Sequence, residues 1–114
     1  VWASYCAPCA RELPELSDLN KELAGNGVQI ITILWDSDTP DTDEAEIAFD
    51  VLKGSGTELM CLLHNDVLDS LLSKDIVGMP TSFLVDSSGN IIAPAKTGAD
   101  SKENYKKWIS DHIE

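Results

Sequence analysis

The sequence predicts an α/β fold in which helices pack against a mixed, partly parallel β-sheet. Helical and strand-like segments alternate along all 114 residues, and this alternation is typical of helices layered on a sheet. The segment VQIITIL at 28–34 is short, β-branched and apolar, as expected for a parallel strand buried on both faces. No repeat, low-complexity stretch or long linker divides the chain, so residues 1–114 form one predicted domain.

The first predicted helix covers residues 8–24. Pro8 suits the first helical turn, and the glycines at 25 and 27 are placed to end the helix. Pro14 lies inside this helix and should kink it, because proline removes one backbone hydrogen bond. The apolar side chains at helical spacing are those of Leu13, Leu16, Leu19 and Leu23.

Two further helices are predicted in the middle of the chain. The first covers 42–53, with Asp41 and Glu44 as a capping box, and a strand-like run at 58–63 follows it. Asn65 is placed to cap the second, shorter helix. The side chains expected to face inward are Ile47, Ala48, Val51 and Leu52 of the first and Val67, Leu68, Leu71 and Leu72 of the second.

The last part of the chain predicts a hairpin and an amphipathic helix. The segments 81–85 and 91–93 form an antiparallel pair around the turn DSSGN at 86–90. The helix begins at Asp100 or Ser101, with Glu103 completing a capping box to Asp100. Its residues at inward-facing offsets are Tyr105, Trp108, Ile109 and His112.

The stretch WASYCAPC carries the chemistry that the sequence predicts. Cys6 stands at the start of the first helix and Cys9 one turn later, so the two sulfurs lie close enough to form a disulfide. The helix N-terminus favours a thiolate at Cys6 and lowers the pKa of such thiols. Cys6 is therefore the predicted nucleophile, and Cys9 is placed to resolve the mixed disulfide.

Two other interpretations of the cysteine pair remain open, a static structural disulfide and a metal site. A static disulfide across three positions would stabilise the fold only weakly. A structural zinc site needs four ligands, and Cys61, His64 and His112 would have to gather around the pair to supply them. Cys61, in an apolar run, is expected to be a buried core thiol.

The charge and hydropathy of the chain exclude several classes of partner. The formal net charge of −12 disfavours nucleic acid and anionic lipid surfaces. No apolar run approaches the roughly 20 residues of a membrane span. Because the chain begins with Val1 and no signal-like segment precedes the cysteines, we expect it to be a piece of a longer protein.

Two motifs about seventy positions apart resemble one family. The segment WASYCAPCARELPEL is similar to the tryptophan, CxPC and glutamate-x-proline pattern of the TlpA/ResA-like branch of the thioredoxin superfamily, whose members are extracytoplasmic thiol-disulfide oxidoreductases. The segment GMPTSFLVDSSGNI is similar to the glycine-x-proline-threonine strand and turn of the same branch. The resemblance spans nearly the whole chain and implies a thioredoxin-like three-layer sandwich.

The resemblance also implies a site and a set of partners. Pro80 is then a cis-proline facing the cysteines, the backbone of Met79 pairs with a substrate peptide, and Trp2 shields the disulfide and contacts substrate. The implied partners are protein substrates with thiols or disulfides and an upstream thiol electron donor embedded in the membrane. The implied protein is a bacterial, extracytoplasmic reductase, which we expect to be monomeric and to need neither cofactor nor metal.

This sequence departs from the family pattern at several positions. Tyr5 replaces the usual tryptophan before the first cysteine, and Asp36 and Asp38 flank Ser37, where relatives carry an acidic residue, so both are expected to be solvated loop charges. The central strand that should precede Cys6 is missing from the chain, and another segment or subunit is expected to fill its place.

Three other functions compete with thiol-disulfide exchange. A peroxidase of the peroxiredoxin type is disfavoured, since Ala3 stands where that family has threonine or serine. A metal carrier and a redox-inert binding module are the two non-enzymatic alternatives. Metal analysis of the purified, reduced protein would identify a metal carrier, and a redox-inert module would show no activity in insulin reduction.

Overall fold

The computed structural model describes residues 1–113. Its helices are α1 (Ala7–Leu23), α2 (Asp43–Gly54), α3 (Asp66–Leu72) and α4 (Lys102–His112). Its strands are β1 (Ile31–Leu34), β2 (Met60–Leu63), β3 (Thr81–Ser82) and β4 (Lys96–Thr97). The predicted alternation of helices and strands is confirmed. Within the described residues, no helix is both long and apolar enough to cross a bilayer.

Val1 and Trp2 join two small pairs of strands. Strands β1 and β2 are parallel, and β3 and β4 are antiparallel. On one side, the Trp2 amide donates to the Ile33 carbonyl at 2.9 Å and the Trp2 carbonyl accepts from Trp35 at 2.8 Å. On the other side, Val1 exchanges two backbone hydrogen bonds with Thr81, at 2.7 and 3.1 Å. Residues 1–2 therefore occupy the position between β1 and β3.

An apolar groove of about 1060 Å³ continues from this position, between the residues of β1 and those that follow β3. A strand that entered the sheet at Val1 would run along it, which agrees with the sequence-based expectation of a further strand. The groove also explains why Ile31 is 43% exposed, although a strand buried on both faces was predicted. The lining includes Leu13, Leu16, Ile31, Ile33, Phe83 and Leu84.

Helix α1 lies at the centre of the packing, with a hydrophobic cluster on each flank. One cluster joins α1 to α2 and to the cysteine pair, through Leu13, Ala45 and Ala48. The other joins α1 to α4 through Leu19 and Tyr105, among others. The helix that carries both cysteines therefore contributes side chains to both clusters. Pro14 lies within it, and the helix continues to Leu23.

The helix caps differ from the predicted ones by one residue. Thr42 caps α2, because its hydroxyl accepts from the Ala45 amide at 3.1 Å, whereas Asp41 was predicted. Ser101 caps α4 by accepting from Asn104, so the predicted capping box of Asp100 and Glu103 is wrong. Asn65 caps α3 as predicted.

Several side chains predicted to face inward are exposed. Cys61 is half-buried in β2 rather than enclosed in the core, so the prediction of a buried thiol is wrong. Four further side chains of α2, α3 and α4 that were predicted to face inward are exposed. The exposed members are Ile47, Val67, Leu71 and His112.

The predicted hairpin forms only in part. Val85 and Ile91 make a single antiparallel bridge around the turn, and Asp86 accepts hydrogen bonds from the amides of Ser88 and Asn90. The longer pairing of this region instead joins β3 to β4, which the sequence analysis missed.

Candidate active site

Cys6 and Cys9 form a disulfide at the N-terminus of α1, with their Cα atoms 5.3 Å apart. Cys6 is the N-cap residue, and its sulfur accepts from the Cys9 amide at 3.2 Å. Cys6 is 8% exposed and Cys9 is 1% exposed. The sulfur at the helix end is therefore the more accessible one, and the second lies one turn deeper.

The turn that leads into Cys6 is held by a carboxylate from the end of β1. Asp36 accepts hydrogen bonds from the Ser4 amide at 3.1 and 3.2 Å and from the Ser4 hydroxyl at 2.5 Å. The Cys6 amide in turn donates to the Ala3 carbonyl at 3.1 Å. The expectation that Asp36 is a solvated loop charge is therefore wrong, whereas Asp38 is exposed as expected.

The peptide bond between Met79 and Pro80 is cis, as the resemblance implied. Met79 packs against the cluster that contains both cysteines, and Pro80 and Cys9 both line the apolar groove. Thr81 follows at once and pairs with Val1 through the backbone. The second motif therefore lies beside the first, although seventy positions separate them in sequence.

The two aromatic residues near the pair occupy different environments. Trp2 is 2% exposed and packs in the same buried cluster as Cys6 and Cys9. This burial agrees with the predicted shielding and disagrees with the predicted contact between the Trp2 side chain and substrate. Tyr5 is 76% exposed directly before Cys6 and presents the aromatic surface there.

Glu12 is a buried carboxylate on α1 that the sequence analysis quoted in its motif but gave no role. It stands three residues after Cys9, so the two side chains share a face of the helix. Its Oε2 atom accepts from the Tyr105 hydroxyl at 2.8 Å and from the Asp100 amide at 3.2 Å. Burial raises the pKa of Glu12 above its ordinary value, and the bond from Tyr105 opposes that rise. Glu12 is therefore a buried carboxylate with a raised pKa, one helical turn after Cys9.

The structure does not support a metal centre built on the cysteine pair. Within residues 1–113, no three side chains of the histidine, cysteine, aspartate or glutamate type converge as metal ligands. The His64 Nδ1 atom instead lies 3.0 Å from the Asp69 carboxylate, and its ring is tilted against that of Trp35, with ring centroids 5.3 Å apart. The three extra ligands considered from the sequence are therefore not gathered around Cys6 and Cys9.

Comparison with known proteins places this arrangement in a family. A family model described as AhpC/TSA matches residues 1–93. The chain belongs to the AhpC/TSA family. The fold is confirmed by two solved structures. A thioredoxin family thiol:disulfide interchange protein from Chlorobium tepidum has a TM-score of 0.76 at 23% identity, covering 97% of this chain and 74% of that one.

The second structure is StoA from Bacillus subtilis, with a TM-score of 0.70 at 24% identity, covering 94% of this chain and 76% of that one. Together the two likenesses show a thioredoxin-like fold for this AhpC/TSA family member, as the sequence resemblance predicted.

Curated relatives of this family member carry names of the predicted branch. The thiol-disulfide oxidoreductase ResA of Bacillus thuringiensis is 27% identical over 119 residues, covering 95% of this chain and 58% of the relative. The thiol:disulfide interchange protein HelX of Rhodobacter capsulatus is 32% identical over 91 residues, covering 80% of this chain and 46% of the relative. The chain thus spans about half the length of the curated relatives it matches.

Proposed function

We propose that this domain is a thiol-disulfide oxidoreductase, which exchanges its Cys6–Cys9 dithiol with disulfides of protein substrates and acts as a reductase. The observation that carries the proposal is the position of the Cys6 sulfur, at the N-terminus of α1 and bonded to the Cys9 amide. Both the amide and the helix dipole favour a thiolate at this sulfur once the disulfide is open.

In the first step, the Cys6 thiolate attacks one sulfur of a substrate disulfide. A bond forms between Cys6 and that sulfur, the substrate disulfide breaks, and the other substrate sulfur leaves as a thiolate that takes a proton from water. The substrate chain is proposed to lie along the backbone of Met79, next to the cis peptide bond. Tyr5 is exposed beside it and offers an apolar contact.

In the second step, Cys9 closes the internal disulfide. The Cys9 thiol gives its proton to the Glu12 carboxylate and attacks the Cys6 sulfur, and the bond between Cys6 and the substrate breaks. The released substrate thiolate takes up a proton, so that two electrons and two protons have passed from the dithiol to the substrate. Glu12 is suited to this step because its raised pKa lets it accept and later release a proton.

An insulin reduction assay with dithiothreitol as electron source tests the activity. The wild-type chain should accelerate precipitation of the insulin B chain, and Cys6→Ser should abolish this acceleration. Cys9→Ser should accumulate a mixed disulfide between Cys6 and substrate, because the resolving thiol is gone. Mass spectrometry under non-reducing conditions detects that adduct.

The third cysteine supplies a matched control. Cys61 is half-buried in β2 and forms no disulfide, so Cys61→Ser should keep the wild-type rate. A wild-type rate no higher than that of dithiothreitol alone would contradict the proposal. Rapid consumption of hydrogen peroxide with slow disulfide reduction would instead favour the peroxidase alternative.

The direction of exchange and the partners are part of the same proposal. The relatives' names support thiol-disulfide exchange. The sequence resemblance supports the finer proposal of a bacterial reductase that acts outside the cytoplasm on exported proteins such as apocytochrome c and receives electrons from a membrane-embedded thiol protein. A reduction potential near or below about −250 mV supports a reductant, whereas a potential near about −120 mV indicates an oxidant.

A further inference from the structure

We infer that Tyr105 is a positioning residue for disulfide exchange, because its hydroxyl fixes one oxygen of Glu12 and leaves the other to take the proton of Cys9. This inference rests on the proposed function. It concerns a residue 93 positions from Glu12 in sequence, on the terminal helix α4.

The hydrogen bonds around Glu12 support this assignment. The Tyr105 hydroxyl and the Asp100 amide both donate to Oε2, and within residues 1–113 no hydrogen bond reaches Oε1. Oε1 is therefore the oxygen on which a proton can be placed without breaking an existing bond. The second acceptor near the Tyr105 hydroxyl is the Gly98 carbonyl, at the longer distance of 3.3 Å.

Because both residues are buried, the hydrogen bond between Tyr105 and Glu12 affects the pKa of Glu12. Glu12 is 6% exposed and Tyr105 is 3% exposed, so water does not readily replace the hydroxyl as donor. A hydrogen bond from Tyr105 stabilises the charged carboxylate more than the neutral acid, and burial has the opposite effect. Tyr105 therefore keeps the proton affinity of Glu12 below the value that burial alone would give.

Tyr105 is itself held in place by its neighbours. It packs in the cluster that joins α1 to α4, and the Lys96 ammonium lies 5.5 Å from the centre of its ring. Lys96 also pairs with the Asp100 carboxylate at 2.8 Å. The titratable and charged groups around Glu12 are Tyr105 of α4, Asp100 before α4, Lys96 of β4, the Val1 amino group, and Cys9, Arg11 and Glu15 of α1.

The pH dependence of the second exchange step tests the inference. Reduced protein is mixed with oxidised glutathione, and quenched samples are analysed by mass spectrometry for conversion of the protein–glutathione adduct to the internal disulfide. Tyr105→Phe keeps the ring but removes the donor, so the midpoint of this step should move to higher pH by about one unit. Formation of the adduct should keep its wild-type rate, and Glu12→Gln should lose the midpoint.

Ser17→Ala is the matched control. Ser17 is a buried hydroxyl on the same helix that accepts from the Glu58 amide at 2.9 Å and does not contact Glu12. This variant loses a comparable buried bond and should keep the wild-type midpoint. An unchanged midpoint in Tyr105→Phe, or an equal shift in Ser17→Ala, overturns the inference while leaving the proposed function intact.

The pKa of Glu12 can also be measured directly, without any exchange reaction, if a variant has little activity. The carbon resonance of the Glu12 carboxyl, followed by NMR against pH, should titrate about one unit higher in Tyr105→Phe than in wild type. Coincident titration curves overturn the inference. Failure of the wild-type protein to form any glutathione adduct overturns both the proposed function and this inference.

Discussion

Asp36 links the end of β1 to the turn that presents Cys6. Its carboxylate accepts from both the amide and the hydroxyl of Ser4, two residues before Cys6. A carboxylate that accepts several bonds from one residue fixes the position of that residue, and such charge-assisted bonds are stronger than neutral ones. The residue that holds the turn before Cys6, the proposed nucleophile, is therefore thirty positions away from Cys6 in sequence.

Replacing Asp36 should weaken this turn. Asp36→Ala removes the acceptor and leaves the Ser4 amide unpaired, so we expect a loss of about 2 kcal/mol in the free energy of unfolding. Urea denaturation followed by circular dichroism measures this loss. Asp38→Ala, at an exposed loop position two residues on, should change stability by less than about 0.5 kcal/mol. Equal effects of the two changes would contradict the assignment.

Single residues could be predicted from the sequence where they lie in a local motif. Pairs of residues that are distant in sequence and contact each other in the fold were missed. Cys6, Cys9 and Pro80 were identifiable because each stands inside a short recognisable pattern. Contacts such as Glu12 with Tyr105 join residues 93 positions apart, and no local pattern reports such a meeting. Only the packing of α4 on α1 brings them together.

At the scale of elements, the helix caps show what spacing can and cannot decide. The segment before α2 offers two adjacent residues, Asp41 and Thr42, that are both good N-caps. The structure selects Thr42, whose hydroxyl accepts from the Ala45 amide and also lies 2.6 Å from the Ser37 hydroxyl. The contact with Ser37 involves a buried side chain five residues before Thr42. The spacing of a capping box considers only the cap and the first helical turn, so it could not indicate this contact.

Substituting these two residues separates the alternatives. Thr42→Ala should cost about 1 kcal/mol in the free energy of unfolding, because the Ala45 amide loses its partner. Asp41→Ala should cost less than about 0.5 kcal/mol. Thermal and urea denaturation of both variants measure the difference, and a larger loss for Asp41→Ala would restore the cap predicted from sequence.

The helices were better predicted than the strands for a physical reason. Caps, glycine stops and apolar spacing are local signals. Helices α1 and α2 lie within one residue of their predicted bounds, and α3 and α4 begin within two residues of their predicted starts. The pairing of β3 with β4 depends on register between segments that a loop separates, and the hairpin pattern pointed to the nearer partner.

At the scale of the whole molecule, hydrogen bonds to carboxylates make stability depend on pH. The ammonium of Lys96 and further donors lower the pKa of Asp100 from 3.8 to about 2. The bond from Asn90 lowers the pKa of Asp86, and the bond from Lys102 lowers the pKa of Glu22. A depressed folded-state pKa gives stability that is present above the unfolded-state value and lost as pH falls through the folded-state value.

Acid unfolding should therefore reveal the contribution of Asp100. Near pH 7, Asp100→Asn should be less stable than wild type, and the difference should disappear as pH falls from 3.8 to about 2. Glu12 acts in the opposite sense, because its raised pKa favours the fold at low pH and opposes it as pH rises. Urea denaturation at several pH values measures both trends. A gap between Asp100→Asn and wild type that persists at about pH 2 would contradict this origin.

The two-residue segment between the strand pairs has a kinetic consequence for the disulfide. Val1 and Trp2 are hydrogen-bonded on both sides, and Asp36 holds the next turn, so the backbone that leads to Cys6, the proposed nucleophile, is well supported. We therefore expect the main chain around Cys6 to keep its position when the disulfide opens and closes. An intramolecular partner held this way reacts at a very high effective concentration. The mixed disulfide between Cys6 and substrate should consequently be short-lived, because Cys9 should release the substrate at least as fast as Cys6 attacks it.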